Sequence, residues 1–231
     1  MNTGFLLINK PEEWTSHDVV GYLRGVTHIK KIGHAGTLDP FATGLLIVGV
    51  GRAATKRLDE FKNLDKVYTT TITLGKTTDT FDKTGTTTTE FHEKNTPPSE
   101  KKIREIITSF IGTIQQLPPM YSAKKVNGKK LYELARKGIT IERQPNTITI
   151  HDITIISYTY PTLTIRVTCS TGTYIRTLAH DIGQKLETGA YCETLHRDAI
   201  GPYTSINKPT PKELTTENWQ SYLLDIPSEN K

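Results

Sequence analysis

Residues able to do chemistry concentrate in Lys31-Ile32-Gly33-His34-Ala35-Gly36-Thr37-Leu38-Asp39-Pro40-Phe41-Ala42-Thr43-Gly44-Leu45-Leu46, where three glycines, a histidine and an Asp-Pro step fall within twelve residues. Gly33, Gly36 and Gly44 permit backbone turns closed to other residues, and Pro40 biases Asp39 away from the helical region. A carboxylate is thus presented on a stiff loop, held ready to act on a substrate. The same residues also fit a plainer arrangement in which Asp39 caps a short helix with Pro40 at its first position. His34 taken alone is equally compatible with a structural role.

A second concentration runs from Lys124 to Lys137, with Lys124, Lys125, Lys129, Lys130, Arg136 and Lys137 against the single acid Glu133, and Tyr121 and Tyr132 nearby. Cations mixed with aromatics suit phosphate contacts and base stacking; a solvated helix face is the alternative. Cys169 and Cys192 lie far apart and lack the spacing of a metal or redox site, so both are read as reduced structural thiols. Gly49-Val50-Gly51-Arg52-Ala53-Ala54 mimics a dinucleotide-binding G-x-G-x-x-A, but the acid such a fold wants about twenty residues later would fall in Thr69 to Leu74, which has none. A calcium loop starting at Asp79 fails because Phe81 and Lys83 would occupy its third and fifth positions. No metal is expected.

The elements that must position these groups show in the hydrophobic pattern. Tyr68, Ile72 and Leu74 share one parity of a strand, and Leu163, Ile165, Val167 and Cys169 alternate in the same way. Ile148 and Ile150 are out of phase with Ile153 and Ile155, which predicts a bulge or turn at His151-Asp152. Helical spacing appears at Ile103, Ile106, Ile107 and Phe110, with Pro97-Pro98-Ser99 before it and Gly112 after, and again at Ile175, Leu178, Ala179, Ile182 and Leu186, closed by Gly189. Thr15-Ser16-His17-Asp18 has capping-box spacing ahead of Val19, Leu23 and Val26. The Thr-rich stretch Thr69 to Thr89 reads as strands and turns, and a short helix is expected from Glu213 to Leu224.

Irregular alternation of strands and helices, with alternating apolar strands, predicts an α+β fold built on a mixed, largely antiparallel sheet flanked by helices. At 231 residues with 35% hydrophobic content the chain can bury a real core. A net charge of +5 and a pI near 9.0 are compatible with a polyanionic partner. The apolar run at Phe5-Leu6-Leu7-Ile8 is too short for a signal peptide or membrane span, which leads to the expectation of a first strand and a cytoplasmic protein.

The segment around Asp39 resembles the G-H-x-G-x-L-D-P catalytic motif of the TruB family of tRNA pseudouridine-55 synthases, and further motifs follow in family order. Lys10-Pro11 and Thr15-Ser16-His17-Asp18-Val19-Val20 resemble the family's opening pattern, with Asn9 and Glu13 standing where Asp and Gly usually occur. Lys66-x-Tyr68, Leu74-Gly75 and Thr77-Thr78-Asp79-Thr80-x-Asp82 resemble the segment bearing the active-site tyrosine. Pro118 to Gly128, with Tyr132 and Ala135-Arg136, resembles the mobile basic element that grips RNA. Cys169-Ser170-Thr171-Gly172-Thr173-Tyr174-Ile175-Arg176-Thr177-Leu178 resembles the motif of the arginine that pairs with the catalytic aspartate, and Leu195-His196-Arg197 the final L-R-R-like segment, with His196 replacing its first arginine.

The resemblance, which spans about residues 4 to 201, implies an isomerase that converts uridine 55 in the tRNA T-loop to pseudouridine by base flipping, with no cofactor. It implies Asp39 as nucleophile, Tyr68 as stacking surface and aid to proton removal, and Arg176 as partner of Asp39. His34 would occupy space in the opened RNA loop, Tyr174 and Leu195 would line the uracil pocket, and Lys10, Asp79 and Arg197 would act as supports. Lys124, Lys125, Lys129 and Lys130 would meet the RNA backbone. An arginine in the first turn of a helix opposes the helix dipole, so a compensating anion is expected on physical grounds too, and Asp39 is the obvious candidate. The expected organisation is a catalytic domain over 1–201, including the gripping element at about 118–140, a short extension over 202–231 and no appended RNA-binding domain of the PUA type. A monomer needing no obligatory protein partner is expected. A noncatalytic RNA-binding or chaperone protein on the same fold is the alternative from another class.

Overall fold

The computed structural model describes residues 3–90, 97–122, 124–126 and 128–224, and the side chains of Lys125, Lys129 and Lys130 lie outside that description, as do Ala123 and Asn127 of the basic element. In chain order the elements are β1 (Gly4–Lys10), α1 (Ser16–Thr27), β2 (Ile32–Ala35), β3 (Thr43–Val50), α2 (Gly51–Lys56), α3 (Leu58–Lys62), β4 (Lys66–Leu74), β5 (Lys76–Thr78) and β6 (Thr87–Glu90). There follow α4 (Glu100–Thr108), β7 (Gly112–Gln116), β8 (Lys125–Val126), β9 (Lys129–Lys130), α5 (Leu131–Ala135), β10 (Asn146–Thr159), β11 (Thr162–Cys169), α6 (Ile175–Lys185), β12 (Ala190–Ile200) and β13 (Tyr203–Thr204). The chain divides into two compact units, one formed by residues 1–66 with 196–231 and the other by 67–195.

The first unit is organised by β3. Val50 pairs with both Gly4 of β1 and Ile32 of β2, and Gly44 pairs with both Lys10 of β1 and Arg197 of β12. A strand residue has one neighbour on each side, so β1 holds one edge of β3 while β2 and β12 share the other. β1 and β2 run antiparallel to β3 and β12 runs parallel to it, which makes the sheet mixed. β2 and β3 form a hairpin, and the connection that bulges out of it carries Asp39.

Both faces of β1 and β3 are covered, so these antiparallel strands read as continuous apolar runs. Leu6, Ile8, Leu46, Val48 and Val50 meet Val19, Val20 and Leu23 of α1, together with Leu214 and Trp219. On the opposite face Phe5, Leu7, Leu45 and Ile47 meet Ala54, Leu58, Phe61 and Ile200. α1 begins as its residues require: Thr15 Oγ1 accepts the Asp18 N–H at 3.0 Å while the Asp18 carboxylate accepts the Thr15 N–H at 2.8 Å.

The expected helix from Glu213 to Leu224 is not formed. Two short 3₁₀ turns, Pro211–Glu213 and Trp219–Tyr222, stand in its place. Extended backbone at Leu214 breaks the run, and Leu224 exchanges two backbone hydrogen bonds with Phe5 on the edge of β1, at 2.8 and 2.9 Å. Burial of Leu214 and Trp219 and edge pairing outweigh the weak helix propensity of this segment.

In the second unit the first part of β12, then β4, β11, β10 and β7, lie side by side in that order. β10 runs antiparallel to both neighbours, and its register slips between Ile150 and Asp152, where the phase of the isoleucines changes. A further slip between Ile155 and Ser157 leaves no such trace in the sequence. α4 and α6 bury Ile103 and Ile107, and Ile175, Leu178, Ala179 and Ile182, respectively. The dinucleotide reading of Gly49 to Ala54 fails here, because the end of β3 that leads into it is flanked by the antiparallel strands β1 and β2 where a dinucleotide fold has parallel ones, and α2 is a six-residue helix.

Candidate active site

Asp39 opens a tight turn, not a helix: the Ala42 N–H donates to the Asp39 carbonyl at 3.1 Å, with Pro40 supplying a pre-set φ just inside the turn. Its side chain is half-buried. Two consecutive arrangements hold the connection in place. Arg197, 1% exposed, donates from Nε to the Leu45 carbonyl at 2.8 Å and from its guanidinium to the Gly36 carbonyl at 3.1 Å, so one side chain ties together the residues that flank the turn. The backbone of Arg197 also comes so close to Gly44 that a Cβ there would lie 2.4 Å from the Arg197 carbonyl oxygen, and Gly44 has a φ of +102°.

Lys10 is fully buried and donates from Nζ to the carbonyls of Trp14 (2.6 Å), Pro11 (2.8 Å) and Pro40 (3.3 Å). Burial pushes its pKa down to about 8, with the negative charge of Asp39 working in the opposite direction and the positive charge of Arg197 adding to the fall. The Pro40 carbonyl accepts the Glu13 N–H as well, at 2.8 Å. Glu13 has a φ of +66°, which explains why the related pattern carries glycine at this position. His34, on β2, is neutral near pH 7: burial lowers its pKa to about 4, aided by Arg197 and His17. Its Nδ1 is buried with no hydrogen-bond partner among the described residues.

The second unit assembles the remaining candidates. Tyr68 is buried on β4, on the same face as Thr70, Ile72 and Leu74. Thr70 Oγ1 donates to the Thr194 carbonyl at 2.7 Å, which sets Leu195 of β12 beside this strand. Tyr174 sits at the N-cap of α6, and Gln116 clamps its main chain by accepting the Tyr174 N–H at 2.8 Å and donating to its carbonyl at 3.0 Å. Arg176, 4% exposed, forms an ion pair with Asp82 at 3.2 Å and donates to the carbonyls of Tyr121 (2.6 Å) and Thr80 (2.7 Å). Within its unit, the anion that the helix dipole calls for is therefore Asp82.

Asp82 is itself fixed, accepting from Thr80 Oγ1 (2.8 Å), the Thr84 N–H (2.9 Å) and Thr84 Oγ1 (2.5 Å). Asp79 is exposed and accepts the Thr86 N–H at 2.8 Å, closing the same connection without reaching Arg176 in the bonds just described. Lys124 is half-buried and donates to Asn146 Oδ1. Sequence reading assigned no part to Asp82 or Gln116; the first is visible in hindsight as an acid in a Thr-rich turn, the second has no local signal. Among the described residues no group of three or more His, Cys, Asp or Glu is placed to share a metal ion, and no helix is long and apolar enough to cross a membrane.

Comparison with known proteins bears on this arrangement. A family model described as TruB family pseudouridylate synthase, N-terminal domain, matches residues 24–175. The chain is 47% identical over 222 residues to tRNA pseudouridine synthase B of Protochlamydia amoebophila (strain UWE25), covering 96% of this chain and 83% of that protein. It is 44% identical over 215 residues to tRNA pseudouridine synthase B of Parabacteroides distasonis, covering 90% of each. Among solved structures, a chain of a Cbf5-Nop10-Gar1 complex superposes with a TM-score of 0.68 at 27% identity, over 88% of this chain and 50% of that one. With its motifs in order, its α+β fold and these relatives, the chain belongs to the TruB family of pseudouridylate synthases.

Proposed function

We propose that this protein isomerises uridine 55 in the T-loop of tRNA to pseudouridine, with Asp39 as nucleophile. The observation that carries the reading is the rigid turn at Asp39-Pro40, tied by Arg197 and Lys10, within a chain of this family. The reaction breaks N1–C1′, turns the uracil and forms C5–C1′; the C5 proton leaves to solvent and N1 takes up a proton. No electron is transferred and no group is lost, so no cofactor is required. Attack by Asp39 on the ribose and attack on the uracil ring are both consistent with this balance.

Asp39 is the nucleophile, Tyr68 is the stacking surface for the flipped uridine, and Tyr174 and Leu195 line the uracil pocket. Flipping costs a few kcal/mol, and stacking on an aromatic such as Tyr68 returns roughly 1–3 kcal/mol per base. Arg176 serves in catalysis, His34 fills the opened loop as a neutral ring, and Lys10 supports the turn. Lys124, Lys125, Lys129 and Lys130 meet the RNA backbone. The charge distribution favours a polyanion: the six cations Arg24, Lys30, Lys31, Arg52, Lys56 and Arg57 against Asp39 between Val19 and Leu58 carry a net charge equal to the +5 of the whole chain. The enzyme works on tRNA in the cytoplasm as a monomer without a protein partner.

Tritium release from unmodified tRNA labelled at uracil C5 tests the reading. Wild-type protein is expected to release label stoichiometric with one T-loop uridine, and Asp39→Asn none while still binding the tRNA. Folded wild-type protein that binds tRNA and releases nothing would leave an RNA-binding protein in place of an enzyme.

A further inference from the structure

Ser16 has a second task besides opening α1. Its hydroxyl, 2% exposed, accepts the Leu38 N–H at 2.9 Å and donates to the Leu38 carbonyl at 3.2 Å. One side chain thus satisfies both main-chain dipoles of the residue immediately before Asp39, 22 positions away in sequence. A serine hydroxyl has one proton and two lone pairs, so it can do both at once. Leu38 is itself 3% exposed, which leaves these groups little access to water.

Ser16 is well placed to serve as an anchor. The reciprocal bonds of Thr15 and Asp18 fix the first turn of α1, and Val19, Val20 and Leu23 fix the helix against the sheet. The Leu38 peptide is thereby referred to a packed helix of the first unit and not only to the connection that contains it. We propose that Ser16 is a positioning residue for the reaction: it sets the direction in which the Asp39 carboxylate leaves the turn. The proposal rests on Asp39 being the nucleophile. Loss of the hydroxyl leaves a buried N–H and C=O unpaired, and the turn rotates to recover hydrogen bonds. A displacement on the order of 1 Å at a reacting group costs about 100-fold in rate.

The test compares wild-type protein with Ser16→Ala, Ser16→Cys and Ser16→Thr. Single-turnover pseudouridine formation, equilibrium tRNA binding, thermal unfolding and amide exchange at Leu38 are measured for each. Ser16→Ala is expected to lose about 100-fold in the single-turnover rate, with tRNA affinity within about twofold of wild type and fast Leu38 exchange. Ser16→Thr, which keeps the hydroxyl, recovers most of the rate, and Ser16→Cys, nearly isosteric but a weak hydrogen-bonding group, falls between. Should the alanine variant fail to fold, the cysteine and threonine variants decide the matter by the same comparison. A rate within twofold of wild type for Ser16→Ala or Ser16→Cys, or an equal loss in Ser16→Thr, overturns the proposal. Inactive wild-type protein would defeat the proposed function instead, and Leu38 exchange unchanged by Ser16→Ala would then overturn the anchoring as well.

Discussion

The Asp82–Arg176 pair shows how a charge can be kept inside this protein. Both side chains are almost wholly buried, and each is surrounded by further partners: hydroxyls and an N–H on the carboxylate, two carbonyls on the guanidinium. Removing one member of such a pair is costly because the other keeps its desolvation penalty without its partner. Asp82→Asn is therefore expected to lose about 3–5 kcal/mol of stability in urea unfolding. His34 offers a test of the opposite kind. Its folded-state pKa of about 4 lies below the ordinary 6.5, so as pH falls through that interval the unfolded state takes up the proton first. The resulting stability is fully present above pH 6.5, declines as the pH falls toward 4 and is flat below. An NMR titration of the His34 ring should show its midpoint near pH 4, and His34→Gln should flatten the decline in stability over the same range.

At the scale of elements, the β2–β3 hairpin and α1 together make the turn rigid. Gly44 is the closest point: its positive φ and the nearness of the Arg197 backbone leave no room for a side chain. Gly44→Ala is expected to cost at least about 2 kcal/mol through overpacking and backbone strain together, read as a lower urea midpoint at unchanged slope. Several elements were legible in advance because their signals are local. Thr15 and Asp18 cap α1, Ser99 caps α4, and the phase change between Ile150 and Ile153 marks the bulge in β10. The expected helix over 213–224 failed for the converse reason. Its residues are committed to distant partners, Leu214 and Trp219 to the core under α1 and Leu224 to the edge of β1.

At the scale of the whole molecule, the first unit is closed by its own C-terminal segment, since residues 196–231 belong with 1–66. Leu214 is fully buried against Leu6, Ile8 and Val19, so Leu214→Ala should cost about 2–5 kcal/mol and lower the melting temperature in calorimetry. The sequence by itself determined the family, the α+β class and the identity of the chemically able residues, because ordered motifs, alternation and Asp-Pro or glycine steps are properties of neighbouring residues. Tertiary structure alone decided which groups hold them. Arg197 reaching both flanks of the Asp39 turn, Gln116 clamping Tyr174, Asp82 meeting Arg176 and Ser16 bonding Leu38 each join positions 22 to 161 residues apart. Such contacts depend on how strands and helices come together, and a hydrogen bond between distant residues leaves no periodic trace in the chain.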